Sequence, residues 1–462
     1  MTDNAGRPID AVVAEIGSTT TVVSAFDGLA GNPSFLGQGM APTTAQHGDV
    51  LGGLKAALEN LKASLKAPGL SWRTLYAASS AAGGLSMSVH GLVYEMTARA
   101  AHLAALGAGA VVRRVTAGKM GLDELEDLSS LKPNLILLAG GTDYGDRDTA
   151  LHNARAIASL GLDIPVIYAG NSQAAPGVAG IFERAGQPVR VTENVYPSLD
   201  QLNIEPARRE IQKLFEVHIV KAPGMARIRE MVDGPVMPTP GAVMEALRIL
   251  QPVIGDVLAV DIGGATTDVH SGAQGSEAIA LVQTQPEPFF KRTVEGDLGL
   301  YINAAHLAQT IGLESLSREL GLNAPGEFDA WQPIPQTPAQ FRLAGRLALE
   351  AGRSAIRRHA GTLRQVYLPE GRKSYATGKD LSEVTTLIAT GGALTRLPGR
   401  GGVLKALRDM NIAGDMLYPK PQAMRVLVDR YYLMASLGVL SRGYPEAALA
   451  LLQLSLAEEI LL

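Results

Sequence analysis

The feature that most constrains this chain is a short piece written twice. Residues 14–23 read AEIGSTTTVV and residues 260–269 read VDIGGATTDV, about half the chain apart. Each is an apolar run, a turn of small and hydroxylated residues, and a second apolar run, which is the pattern of a tight β-hairpin. A second element recurs with it. Gly140 of ILLAGGTD follows Gly17 at nearly the spacing at which Gly391 of LIATGGAL follows Gly263. Two matched pairs predict a duplicated chain, each half holding one hairpin and one strand ending in Gly-Gly.

Strand and helix signals alternate, as in an α/β protein. Strand candidates fall at 11–13, 21–26, 75–78, 111–115, 135–138, 166–168, 257–260, 267–270 and 387–389. Helical periods fall at 51–65, 93–106, 148–160, 204–216, 341–359 and 429–440. The Pro- and Gly-containing stretch at 222–241 reads as a hinge. The expected division is a first lobe at 8–240 with hairpin 1 and a second lobe at 241–428 with hairpin 2. Residues 429–462 are expected to form C-terminal helices packing back on the first lobe.

Composition removes several functions. A net charge of −4 over 462 residues gives no basic field for nucleic acid or an anionic membrane. With no cysteine there are no disulfides, thiolate metal sites or cysteine-bound iron–sulfur clusters. MTDNAGRPID has neither the basic nor the apolar region of a secretory leader, and the apolar runs near residue 440 are too short to span a bilayer. The expectation is a cytoplasmic protein without nucleic-acid or membrane partners.

The hairpin residues point to a phosphate site. Glycines let backbone N–H groups approach a ligand with no Cβ in the way, and successive turn amides form an anion nest. Hairpin 1 supplies Gly17, Ser18, Thr19 and Thr20; hairpin 2 supplies Gly263, Gly264, Ala265, Thr266 and Thr267. Asp261 and Asp268 flank the second turn and suit Mg²⁺ held through its waters, with Glu15 in the place of Asp261 in the first copy. Two facing hairpins can grip a β/γ-phosphate and its metal from both sides. No Walker sequence offers another phosphate loop.

These motifs resemble those of the actin, sugar-kinase and heat-shock chaperone ATPase superfamily. The resemblance implies a two-lobed actin-like ATPase fold, with duplicated ribonuclease-H-like halves around a central nucleotide cleft. EIGSTTT would be its first phosphate motif, VDIGGATTD its second, and IATGGAL, with Gly391 and Gly392, its adenosine motif. VEGDLGL, with Gly296 and Gly299, is similar to a loop near phosphate and ribose. Glu15 stands where the superfamily usually has Asp, so the resemblance carries nucleotide binding further than hydrolysis.

A closer resemblance runs along nearly the whole chain. ASSAAGGL, LLAGGTDYGD, PVIYAGN, NIEPAR, MPTP, GDVLAVDIGGATTDVHS, KRTVEGDLG, RRHAG and TGGAL occur in the order seen in glutamate (methylaspartate) mutase accessory proteins, the MutL family of mutase operons. The resemblance implies an ATP- and Mg²⁺-binding, reactivase-like partner of adenosylcobalamin-dependent mutase subunits, an ATPase if it turns over, with a homodimer left open. A small-molecule kinase on the same fold is the alternative. It needs a carboxylate base, for which Asp143 of GGTDYGDRD is the candidate, and Glu15, Asp143 and Asp261 are together the candidate catalytic groups. DVHSG is one residue short of a cobalamin-ligand signature, so His270 reads as structural.

Overall fold

The computed structural model describes residues 8–44, 50–80, 85–108, 110–199, 201–219, 225–368 and 371–461. The chain divides into two compact units, one formed by 1–82, 220–283 and 289–462, the other by 83–219 and 284–288.

In the first unit, β1 (Ile9–Ile16), β2 (Thr20–Asp27) and β3 (Ser34–Pro42) form an antiparallel meander, α1 (Leu51–Ser64) crosses it, and β4 (Trp72–Ser79) returns parallel to β1. The chain then builds the second unit, with β5 (Leu85–Gly91), α2 (Arg99–Gly107), β6 (Ala110–Ala117), α3 (Leu122–Leu131) and β7 (Leu135–Leu138), followed by α4 (Asp148–Ser159), β8 (Val166–Tyr168), α5 (Ala175–Arg184), β9 (Val189–Val191) and α6 (Glu205–Ile219). Back in the first unit, β10 (Met237–Pro238) pairs beside β4. A second meander follows, of β11 (Val257–Ile262), β12 (Thr267–Gly272) and β13 (Phe290–Glu295). After it come the β14 (Gly361–Leu368) and β15 (Gly371–Thr377) ribbon, β16 (Thr386–Thr390), β17 (Met416–Leu417), β18 (Arg425–Asp429) and β19 (Leu456–Glu458).

The duplication is plain in the strand orders. One sheet runs β3-β2-β1-β4-β10 and the other β13-β12-β11-β16-β18-β19. Each is an antiparallel meander whose first strand is extended by two parallel strands, the ribonuclease-H-like order, with β19 added antiparallel at the edge of the second sheet, so the first unit has the duplicated actin-like architecture. The inner faces of β1 and β11 share one apolar core, in which Val13, Val257 and Ala259 meet the helices Thr239–Ile254 and Met434–Leu440. Those helices pack so closely that a Cβ on Gly438 would come within 1.8 Å of the Ala242 carbonyl oxygen. The long helix Pro338–His359 covers the other face of β11 and β12.

Two elements differ from the sequence reading. The strand ending in Gly140 is β7, which lies in the second unit, so the partner of β16 in the first half is β4 instead. A buried parallel strand ending in glycines looks the same in any α/β sheet, which is why spacing alone mispaired them. The 429–440 period begins as β18 and becomes helix only at Met434, because the buried Asp429 carboxylate accepts from the Leu433 and Met434 amides and caps the helix there. Gly83 and Gly84 of the SSAAGG motif lie outside the described residues.

The second unit is an all-parallel sheet in the order β6-β5-β7-β8-β9, with α3, α4 and α5 forming one apolar layer over β7 and β8. His90 is buried at the carboxyl end of β5, its ring nitrogens meeting Thr116 Oγ1 at 2.8 Å and Ser88 Oγ at 3.1 Å. Burial, with Arg114 reinforcing it, lowers its pKa to about 4. Below pH 6.5 the unfolded chain takes up a proton that the folded unit refuses. Stability therefore falls between about pH 6.5 and 4, by up to about 3 kcal/mol from this group. Urea unfolding at pH 7 and pH 4.5 measures the loss, and a His90→Gln variant should show a shallower slope.

Candidate functional site

Both hairpins close with the same bond. Gly17 N–H donates to Thr20 O at 3.0 Å, and Gly263 N–H to Thr266 O at 2.9 Å. The two tips face each other, since a Cβ on Gly264 would lie 2.6 Å from the Thr19 side chain. Ser18, Thr19, Gly264 and Ala265 all line one cleft, and their amides have no hydrogen-bond partner among the described residues. Four open N–H groups at facing turns make a cradle for an anion.

Neighbouring loops hold each tip. Thr43 N–H donates to Thr19 O at 2.9 Å and its hydroxyl to Gly17 O at 2.8 Å. Around hairpin 2, Tyr301 and Ile302 amides donate to Gly264 O at 2.8 and 2.9 Å, and Asn303 Nδ2 to Ala265 O at 3.2 Å. Gly299 allows this approach, because a Cβ there would meet the Ala265 carbonyl at 2.3 Å.

Beneath the tips lie carboxylates. Asp261 and Asp268 are direct cross-strand partners on β11 and β12, and both line the cleft with Glu15. Burial pushes the Asp261 carboxyl well above the usual range, with Asp268 and Glu15 adding to it. Burial likewise raises Asp268, against the pull of Arg292. Glu15 rises to about 7, chiefly by burial; the Tyr432 hydroxyl, donating to its Oε1 at 2.6 Å, and Arg396 oppose this, and Asp429 reinforces it. Arg292, buried on β13, sits 3.6 Å from Asp268 Oδ1.

Such a donor set fits a hard divalent cation, which would relieve the mutual repulsion. Among the described residues no three acidic or histidine side chains are placed to hold a metal by themselves. Phosphate oxygens and water would supply the remaining ligands, which is the usual habit of Mg²⁺.

The structure thus gathers Glu15, Gly17, Ser18, Thr19, Thr20, Gly263, Gly264, Ala265, Thr266, Asp261, Asp268 and Gly392 around one cleft of about 1230 Å³, counted to its open mouth. Four other sequence candidates sit elsewhere. Thr267 is turned inward, its hydroxyl donating to Leu298 O at 2.7 Å. Gly296 is a loop position whose carbonyl accepts from Asn303. Gly391 is buried and is not among the residues lining the cleft, although a Cβ there would crowd Asp261. Asp143 belongs to the second unit, where Oδ1 accepts from Ser172 N and Asn194 Nδ2 at 2.8 and 3.1 Å.

Sequence reasoning missed Arg396, Tyr432 and an apolar wall that includes Trp331, Ile334, Phe341 and Leu397. The WQPIPQ run at 331–336 was the available signal for that wall. His270 is buried on β12 opposite Arg292, and Arg358 is taken by Glu295 and Asp297 at 2.5 and 2.7 Å.

A profile of the family described as MutL protein matches residues 11–456. Protein MutL of Clostridium tetanomorphum is 37% identical over 457 residues, covering 96% of this chain and 98% of its own. Among solved structures, the ethanolamine utilization protein EutJ of Carboxydothermus hydrogenoformans is similar over 97% of this chain and 92% of its own, at 11% identity and a TM-score of 0.33. The Acidaminococcus fermentans (R)-2-hydroxyglutaryl-CoA dehydratase component A is similar over 95% and 99%, at 9% identity and a TM-score of 0.30.

The adjacent glycines of β16's end make opposite demands. Gly391 has φ +84°, and a Cβ there would lie 2.4 Å from Asp261 Oδ1 and 2.6 Å from Ile262 N. A Cβ on Gly392 meets nothing within 4 Å. Gly391→Ala should therefore cost about 3 kcal/mol from the left-handed backbone and overpacking together. Gly392→Ala should stay within about 0.5 kcal/mol of wild type. Thermal unfolding of the two variants checks the contrast, and equal losses would remove Gly391 as the tight position.

Proposed function

The chain belongs to the MutL protein family, and we propose that it is the ATP-binding accessory protein of an adenosylcobalamin-dependent mutase such as glutamate mutase. The observation that carries the nucleotide reading is the pair of facing hairpin tips with open amides above buried carboxylates. In this reading the tips cradle the β- and γ-phosphates. Glu15, Asp261 and Asp268 face the Mg²⁺ and its waters, and the wall around Trp331 and Phe341 takes the apolar end of the ligand. The link to a mutase rests on the family.

The physical rationale is differential binding. A mutase that has lost its adenosyl group holds damaged cobalamin in a closed complex. An accessory protein with two nucleotide-dependent states can favour the open complex if it binds that form more tightly in one of them. A rotation between the two sheets of the first unit, driven by closure on the phosphates, is the proposed source of those states. A kinase reading gains nothing from Asp143, whose Oδ1 is already engaged by two donors.

Calorimetric titration with MgATP tests the reading directly. Wild type should bind, and Asp261→Ala should weaken binding by at least about tenfold, the loss of one charge-assisted site contact. In a second assay, glutamate mutase inactivated by cobalamin damage should regain activity with this protein, fresh cofactor and MgATP, and not when MgATP is left out. No binding by the wild type would overturn the nucleotide reading. Binding without mutase recovery would overturn the partner.

A further inference from the structure

Glu15 lies at the end of β1, in the first half, and its extra methylene has a use in the structure. Its Oε1 accepts from the Tyr432 hydroxyl at 2.6 Å, and Glu15 itself lines the cleft. Tyr432 comes from the other half, in the turn that follows β18, and is unusual in its backbone: φ is +54°, a conformation most residues avoid. The turn is firmly built. Tyr432 N–H donates to Asp429 O at 2.8 Å, while the Asp429 carboxylate accepts from Leu433 N, Met434 N, Thr390 Oγ1 and Ser455 Oγ.

The same turn is tied to the first half by its carbonyls. Gln38 Nε2, on β3, donates to Tyr431 O at 2.8 Å and to Tyr432 O at 3.3 Å. Phe35, also on β3, packs on the Tyr431 ring at 5.4 Å between centroids. Arg396 lies over the Tyr432 ring at 5.4 Å and touches Met40 of β3. Residues 429–433 thus form a strap from the second sheet to the first, and one of its side chains ends on a cleft carboxylate.

We propose that Tyr432 is a positioning residue for nucleotide-bound metal: it pins one oxygen of Glu15 so that the other is presented to the cation beside the hairpin tips. The inference rests on the nucleotide reading above and adds a residue to it. An aspartate at position 15 would be one methylene short of the strap. The longer acid and the strained tyrosine act as one unit, and the Arg396 guanidinium keeps the tyrosine ring in place. Because Tyr432 acts through Glu15, its effect belongs to the metal-dependent part of binding alone.

The test compares ATP with excess Mg²⁺ and ATP in EDTA, read by calorimetry and by quenching of Trp331, which lines the cleft. Tyr432→Phe keeps the ring under Arg396 and removes only the hydroxyl. It should raise the Kd for MgATP about tenfold, the scale of one hydrogen bond to a charged group, and leave metal-free ATP within about twofold. Glu15→Asp should do the same, and the double variant should be no worse than Glu15→Asp alone, because one interaction cannot be lost twice. Equal losses in both arms would reveal a general structural role and overturn the proposal, as would additive losses in the double variant or an unchanged Tyr432→Phe. A wild type that binds no nucleotide overturns the cleft reading and this inference together, whereas a wild type that binds like Tyr432→Phe overturns only this one.

Discussion

The base of the cleft is governed by like charges buried at one depth. Asp261 and Asp268 face each other across β11 and β12, an arrangement that costs stability between like charges, and Glu15 adds a third carboxyl from β1. The protein surrounds them with partial compensation: Arg292 beneath, Arg396 and the Tyr432 hydroxyl from the strap. None of these gives Asp261 a close partner, and its carboxyl stays well above the usual range. Under the proposed reading, a cation bound here would relieve that repulsion. A buried cluster of like charges adds little to folding stability by itself, which is what makes it a candidate binding feature.

The two copies of the hairpin divide that work unequally. Registers align Glu15 opposite Val22 and Asp261 opposite Asp268, so the second acid of hairpin 2 has an apolar counterpart in hairpin 1. The turns are equivalent in backbone, closed by the same Gly N–H to Thr O bond, yet hairpin 1 offers the Ser18 and Thr19 hydroxyls where hairpin 2 offers Gly264 and Ala265. Small residues at the second tip let it come against the Thr19 side chain. One tip therefore brings hydroxyls and the other brings charge and close approach. Exact symmetry would put either too many carboxylates or too much bulk at the same point.

What could be read from the sequence was local. A Gly-initiated turn between two apolar runs determines its own hairpin, so Gly17 to Thr20 and Gly263 to Thr266 were legible, as were the buried strands β7, β8 and β11. The duplicated halves followed from the repeat. Membership of a sheet is decided by partners far away in the chain, and β7 was accordingly assigned to the wrong one. Half-exposed strands such as β14 and β15, with charges along them, carry too little apolar pattern to announce themselves. Tyr432 was hidden for another reason. Its apolar neighbours mimic a helical period, and only Asp429 folding back on Leu433 and Met434 separates strap from helix.

The second unit enters at a telling place. In the second half, β16 leads to β18 through short helices, whereas between β4 and β10 the first half carries a whole parallel-sheet unit. The last described residue before that unit is Ser80. Its N–H donates to Ile16 O at 3.0 Å, its carbonyl accepts from Ser18 Oγ at 3.2 Å, and it lines the cleft. The end of β4 is thus hydrogen-bonded to the turn of hairpin 1 itself. β10, on the return, pairs at Ala78 and Ser79, one residue away. Ser80 and β10 both lie at the carboxyl end of β4, the edge at which α/β sheets gather their ligands.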